Sequence, residues 1–204
     1  MVPEHGSRGG EGAARLPSHG MPPGTCDRAA GANRAIRDLE PNDIRQLLSL
    51  QEEAYIPELL ESPESFRSKM AAYPPGAQGL FQAGTLCAYV FYFPWRSGGY
   101  LPLDARSLVL PGVPDCLYIH DLAVSRGCRG LGMAKALLAK VAVTAQQMGI
   151  REYMLVAVQQ SEEFWENLGF ERGREFEYVE GVPATVMFKH GPSFTHASET
   201  SDPS

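Results

Sequence analysis

This chain has no apolar run approaching the length of a membrane span, and its N-terminus lacks the continuous apolar stretch of a secretion signal. No membrane partner is therefore expected. Arg and Ser near the start resemble an organelle transit peptide, but Glu4 and Glu11 oppose that reading, and a translation start at Met21 is an alternative. Cysteine is sparse as well. Cys26, Cys87, Cys116 and Cys128 form no CxxC pair and have no histidine at zinc-binding spacing. No metal site is expected; free thiols and a cytoplasmic location are. Basic charge is outweighed, with 18 Lys and Arg against 24 Asp and Glu and a net charge of -6. The balance argues against nucleic acid as a partner and for a cationic substrate.

Large apolar side chains are scarce at both ends. Residues 1–33 are dominated by Gly, Pro, Ala, Ser and Arg, and residues 191–204 are similar, so both are expected to be disordered. The folded unit is then 34–190, one domain by size, and a chain that is 44% hydrophobic can give it one substantial core.

The richest stretch lies between Asp115 and Gly149. An apolar run, DCLYIHDLAV, enters the turn SRGCRGLG, which opens a long amphipathic segment, MAKALLAKVAVTAQQMG. Glycines let a backbone approach a ligand closely, and the first turn of a helix aims unpaired N–H groups outward. Such a turn is an anion site suited to a diphosphate, which suggests a phosphorylated cofactor. In the helix Ala134, Leu137, Leu138, Val141, Ala145 and Met148 share one buried face, and Gly149 closes it.

Around this centre the pattern predicts a strand over 34–39 and a helix starting at Pro41-Asn42-Asp43, with Ile44, Leu47, Leu48, Leu50 and Ala54 on its apolar side. A second helix is expected over 63–72, capped by Ser62, with Phe66 and Met70 inward. A hairpin of 79–83 and 86–94 follows, then an irregular segment over 95–114; loops of that length are usually functional. Strands at 117–124 and 153–158 flank the long helix. A short helix capped by Ser161 should face Phe164 and Leu168 inward, and a hairpin of 170–179 and 184–189, joined by Glu180-Gly181-Val182-Pro183, closes the chain. Strands interspersed with helices around one sheet give an α/β or α+β domain.

Three features carry a family resemblance: Arg129-x-x-Gly132-x-Ala134 between strand and helix, the run Phe164-Trp165-Glu166-Asn167-Leu168-Gly169-Phe170, and the element order. Together they resemble the GNAT superfamily of acetyl-coenzyme A-dependent N-acetyltransferases. The resemblance implies a single domain with a central mixed, mostly antiparallel sheet of about seven strands and about four helices. It also implies a splay between the strands at 117–124 and 153–158. Main-chain groups of Leu122, Ala123 and Val124 should then pair with the pantetheine arm. Backbone amides of Arg129, Gly130, Leu131, Gly132, Met133 and Ala134 should hold the diphosphate, with Phe164 and Trp165 beside the sulfur end. The run YIHDLAV is further similar to the corresponding strand of arylalkylamine N-acetyltransferases, which carries two alternating histidines; His120 matches the second and Tyr118 stands at the first.

Rival readings of the glycine turn fit less well. A dinucleotide fingerprint fails because Lys135 stands where its third small residue belongs, and Glu152 precedes its strand instead of ending it; no GxxxxGK[ST] occurs. His120 is either a buried histidine bonded to a carbonyl or a general base. Alkylamines have a pKa of about 10, so a base is needed near neutrality, and histidine can pass the proton on. Asp115 and Asp121 are weaker candidates because a carboxylate must be desolvated to become basic enough. In an ideal strand Asp121 points away from His120, although a bulge alters this parity.

The sequence departs from the superfamily pattern at Trp165, where many members have a tyrosine proposed to protonate the leaving thiolate; indole cannot do so. A thiol pKa of about 8.5 makes thiolate a tolerable leaving group without that acid, and Tyr118, Tyr178 or water are alternative donors. Val158, where many relatives have asparagine, is a second departure. Phe91, Phe93, Met148 and Met154 are expected to be core, and Trp95 to touch substrate. The expected function is transfer of an acetyl group from acetyl-coenzyme A to a primary amine of a small molecule, by direct attack in a ternary complex, without metal. Alternatives are a protein acetyltransferase acting on lysines or N-termini, and an inactive acyl-coenzyme A-binding module. A homodimer is left open.

Overall fold

The computed structural model describes residues 34–191 and Phe194. The expected disorder of residues 1–33 and of the tail falls, Gly191 and Phe194 apart, outside the described residues. Seven strands form one sheet: β1 (Arg34–Asp38), β2 (Ala77–Gln82), β3 (Thr85–Trp95), β4 (Cys116–Val124), β5 (Glu152–Val158), β6 (Glu171–Val179) and β7 (Val182–His190). Their spatial order is β1-β2-β3-β4-β5-β7-β6. All neighbours are antiparallel except β4 and β5. Parallel neighbours need a crossover; here it is α3 (Met133–Met148). The other helices are α1 (Ile44–Ala54), α2 (Pro63–Ala72) and α4 (Glu162–Glu166). The architecture matches the expected mixed, mostly antiparallel fold.

The sheet separates two cores. On one side Leu137, Leu138, Val141 and Ala145 of α3 cover Leu117, Ile119, Tyr153 and Leu155, with Trp165 and Leu168 at the margin. On the other, Leu47 and Leu50 of α1 and Phe66 and Met70 of α2 cover Tyr89, Phe91, Phe93, Tyr118 and Met154. Strand β3 is therefore buried on both faces, which is why its sequence reads as continuously apolar. Phe91, Phe93 and Met154 are core, as expected.

Local chemistry explains most element ends. A 3₁₀ turn, Pro41–Asp43, precedes α1, and Arg37 clamps Asp43 through two hydrogen bonds of 2.7 and 2.8 Å. The Ser62 hydroxyl caps α2 by accepting from the Ser65 amide. Ala83 and Gly84 both have positive φ, the turn that a two-residue hairpin between β2 and β3 requires.

Several details differ from expectation. The Ser161 hydroxyl makes no cap bond. Phe164 is 43% exposed while Trp165 is 7%, because α4 is barely one turn long and turns its indole, not its phenyl ring, to the core. Met148 is 42% exposed as the last residue of α3, where its sulfur accepts a 3.9 Å bond from Tyr73. The last hairpin turns on Glu180 and Gly181 alone, since Val182 and Pro183 already pair within β7. The buried Cys87 thiol donates to the Thr85 carbonyl at 3.4 Å and Cys116 is a free thiol, whereas Cys128 is not.

Phe66 is fully buried at the centre of the α1–α2 side, 5.4 Å from the Phe91 ring and 6.2 Å from that of Tyr89. Truncating it leaves a cavity that this packing cannot close. Phe66→Ala is expected to cost about 3–5 kcal/mol, read as a lower urea midpoint with an unchanged slope.

Candidate active site

Strand β4 builds the site through two irregularities at one place. Its parallel pairing with β5 ends at Ile119–Leu155, although both strands run on. Beyond that point Leu122, Ala123 and Val124 pair only with Val90, Tyr89 and Ala88 of β3. The side of this backbone facing β5 has no strand partner, which is the expected splay; side chains bond there instead, the Leu122 carbonyl accepting from the Tyr55 hydroxyl at 3.2 Å and the Val124 carbonyl from Nε of Arg129 at 3.4 Å. In the same stretch Phe91 pairs with Asp121 but Tyr92 with Ile119, so His120 is an extra residue. Such a bulge resets the alternation of side chains. Leu117 and Ile119 face α3, and beyond the bulge so do Leu122 and Val124. Asp121, expected in an ideal strand to point away from His120, turns instead to the same α1–α2 side, because the extra residue shifts parity by one.

A cleft of about 920 Å³ opens along the splay. Leu122, Ala123, Val124, Arg129, Gly130, Gly132, Met133, Ala134, Phe164 and Trp165 line it together with His120. Leu131 is half-buried against the α3-side core. Tyr118 is not among the lining residues; it is fully buried, its hydroxyl 3.5 Å from Nδ1 of His120. Tyr178 does line the cleft, with its hydroxyl donating to the Leu101 carbonyl at 3.1 Å. Val158 is also in the wall. Trp95 is not: its indole N–H donates to the Gly99 carbonyl at 3.1 Å and its ring leans on Tyr118, so its role is to shape the loop over residues 96–115. Asp115 is likewise remote, accepting from the Ser97 amide at 2.6 Å.

At one end of the cleft the glycine turn meets α3. Gly130 and Gly132 have φ of 75° and 77°, left-handed values that a β-carbon disfavours. The first helical bond runs from the Ala136 amide to the Gly132 carbonyl, so the amides of Met133, Ala134 and Lys135 precede any helical acceptor. The Arg129 amide, by contrast, is used within the turn, donating to Arg126 at 3.4 Å. Arg126, Arg129 and Lys135 add positive charge at this end. Glu53 is taken up by the turn itself, accepting from the Ser125 hydroxyl and the Arg126 amide. Open strand backbone, free helix-start amides and basic side chains along one cleft fit an extended acyl carrier ending in phosphates.

The other end holds buried charge that the sequence reading missed. Nε2 of His120 lies 3.1 Å from Glu61, whose other carboxylate oxygen takes Lys69. Burial pushes the Glu61 carboxyl up, but the charges and hydrogen bonds of His120 and Lys69 outweigh it and bring it down to about 2. Burial lowers the Lys69 ammonium against the pull of Glu61. Asp121 accepts from the Tyr55 hydroxyl at 2.6 Å, and desolvation raises its pKa despite that bond. The Tyr89 hydroxyl lies beside Asp121 but makes no hydrogen bond of ordinary geometry. One signal for this cluster exists in the sequence: Lys69 falls three residues after Phe66 and beside Met70, on the buried stripe of α2, where an ammonium needs a partner. Nothing in sequence spacing identifies that partner as Glu61.

Comparison with known proteins agrees with this geometry. Residues 43–170 match the model of the Acetyltransferase (GNAT) family. The chain belongs to that family. No match was found among curated proteins. Among solved structures, the loading GNATL domain of CurA from Lyngbya majuscula is 11% identical with a TM-score of 0.66, covering 78% of this chain and 98% of the other. PaiA N-acetyltransferase from Thermoplasma acidophilum, solved with coenzyme A, is 17% identical with a TM-score of 0.59, covering 78% and 99%. The ribosomal-protein-S18-alanine N-acetyltransferase of Escherichia coli is 17% identical with a TM-score of 0.56, covering 82% and 98%. At these identities the likeness concerns the fold. This acetyltransferase is accordingly an acyltransferase, and among its described residues no helix is long and apolar enough to cross a membrane.

The buried carboxylates give the acetyltransferase a definite response to acid. A carboxyl whose folded pKa is depressed stabilises the fold above its unfolded value and ceases to as pH falls through the folded one. Glu61 moves from 4.5 to about 2, and Asp43 is lowered in the same sense by Arg37. Asp121, raised by burial, works in the opposite direction. Melting temperature is expected to fall most steeply between about pH 4.5 and 2, with a shallower slope in Asp43→Asn.

Proposed function

We propose that this acetyltransferase moves an acetyl group from acetyl-coenzyme A to the primary amine of a small molecule, by direct attack in a ternary complex. The observation that carries the proposal is the placement of His120 in the cleft wall where β4 leaves β5, two residues before the open backbone of Leu122. The amides of Gly132, Met133 and Ala134, with the side chains of Arg126, Arg129 and Lys135, would hold the diphosphate. The edge of Leu122–Val124 left without a strand partner would pair with the pantetheine arm, displacing the Tyr55 and Arg129 side chains from its carbonyls, and Phe164 and Trp165 would flank its sulfur end. Acetyl-coenzyme A supplies the activated thioester carbonyl.

An ammonium cannot attack that carbonyl, so His120 takes the proton first. A backbone N–H near Leu122 then stabilises the oxygen that gains charge as the amine adds. The departing thiolate is a tolerable leaving group, with a thiol pKa of about 8.5, and needs no acid from Trp165. Tyr178, in the cleft wall, is better placed than buried Tyr118 to return a proton to it. Tyr118 would act through His120 instead. The cytoplasmic location expected from composition and the exclusion of nucleic acid and membrane partners belong to the same reading.

Thiol release should be measured across arylalkylamines, polyamines and basic peptides, alongside calorimetry with acetyl-coenzyme A. Release with small amines is expected. Release only with peptides would favour a protein acetyltransferase, and binding without release an inactive module. His120→Ala should lower kcat at pH 7 by about 10²-fold or more. The deficit should shrink as pH approaches the amine pKa, with the Kd for acetyl-coenzyme A nearly unchanged. A mutant with wild-type turnover from pH 6 to 9 would refute the base assignment.

A further inference from the structure

Glu61 stands just ahead of α2 and carries no motif, yet three donors converge on its carboxylate. Lys69 Nζ binds one oxygen; the Asp104 amide and His120 Nε2 each lie 3.1 Å from the other. The side chains of Glu61, Lys69 and His120 are respectively 4%, 0% and 3% exposed, so water does not compete for these bonds. An ionised carboxylate only accepts. The imidazole nitrogen facing it must therefore carry a hydrogen, which makes neutral His120 the Nε2–H form with its lone pair on Nδ1. Nδ1 is then the nitrogen left to take a proton, and the Tyr118 hydroxyl lies 3.5 Å from it.

We propose that Glu61 is a positioning residue for acetyl transfer: it fixes the tautomer and orientation of His120, and Lys69 keeps it ionised to do so. This rests on the reading of His120 as the base. When His120 takes the amine's proton, the hydrogen binds at Nδ1, the amine nitrogen keeps the electron pair it needs to attack, and Glu61 balances the new imidazolium charge. Burying a Lys–Glu pair is costly and adds little to stability compared with apolar packing, which points to a role beyond holding α2 in place.

The same carboxylate also ties the acceptor end of the cleft together. Asp104 accepts from the Ser62 amide at 2.7 Å and from the Ser62 hydroxyl, and its own amide donates to Glu61. Ser65 holds the adjoining Ala105 carbonyl at 3.1 Å. The long loop over residues 96–115, whose Leu103 enters the cleft wall, thus hangs from the group that orients the base. Other titratable groups around the imidazole are Lys69 of α2, Asp104 of the loop, Tyr118 and Asp121 of β4, and Tyr178 of β6. Tyr55, after α1, is bonded to Asp121.

Ring-nitrogen NMR of the full chain, with His120 assigned by its loss in His120→Ala, reads the tautomer without any turnover. The wild type should show the Nε2–H form, and Glu61→Gln a mixture, since an amide can face that nitrogen with either its oxygen or its NH₂. In the same variant kcat should fall by about 10- to 100-fold with the KM for acetyl-coenzyme A within about twofold. Should Glu61→Gln not fold with Lys69 left unpaired, Glu61→Gln/Lys69→Met removes both charges and is tested identically. An unchanged tautomer with unchanged kcat in a folded variant overturns the proposal. A changed tautomer with unchanged kcat upholds the positioning and removes the base reading instead.

Discussion

Strand β4 remains hydrogen-bonded to β3 as far as Val124 but parts from β5 after Ile119, and the extra residue inserted at the parting is His120. The strand edge left without a neighbouring strand beyond Ile119 and the position of the imidazole both follow from this. A regular strand would bury its amides between two neighbours and leave nothing for an extended ligand. It would also turn Asp121 to the α3 side, where the core is apolar. With the bulge, His120 and Asp121 both reach toward α1 and α2, whose ends supply Tyr55 and Glu61 as partners.

The two ends of the cleft are electrostatically unlike. Near the glycine turn, positive groups and helix-start amides face open space, an arrangement that attracts phosphates and is screened by salt like any exposed field. At the other end the charges are desolvated and already paired with one another. Glu61 is held ionised by His120 and Lys69, while Asp121 is pushed the opposite way by burial. Neighbouring carboxyls with pKa values driven apart are a common device for placing a proton acceptor and a proton-bearing group side by side.

Much of the fold was legible because its elements are locally specified. The α3 stripe, the Ser62 cap and the hairpin glycine at 84 each act within a few residues. The glycine turn and the run from Phe164 to Phe170 were equally readable, and both contribute residues to the cleft wall. Readings of orientation were less secure. Phe164 and Met148 sit on apolar-looking positions yet are well exposed, because α4 is too short to present two faces to the core and Met148 is the last residue of α3. Trp95, expected near substrate, spends its N–H on its own loop.

Periodicity, capping residues and glycine placement determined the element order, the family and the glycine turn that opens α3, since each depends on interactions between residues close along the chain. Which side chains meet His120 was decided by tertiary structure alone. Glu61 lies 59 positions away, and it arrives only because the apolar faces of α1 and α2 pack on the sheet and the bulge in β4 rotates the imidazole to meet it. A contact between distant segments leaves no spacing to read, and a one-residue bulge reverses facing without altering composition.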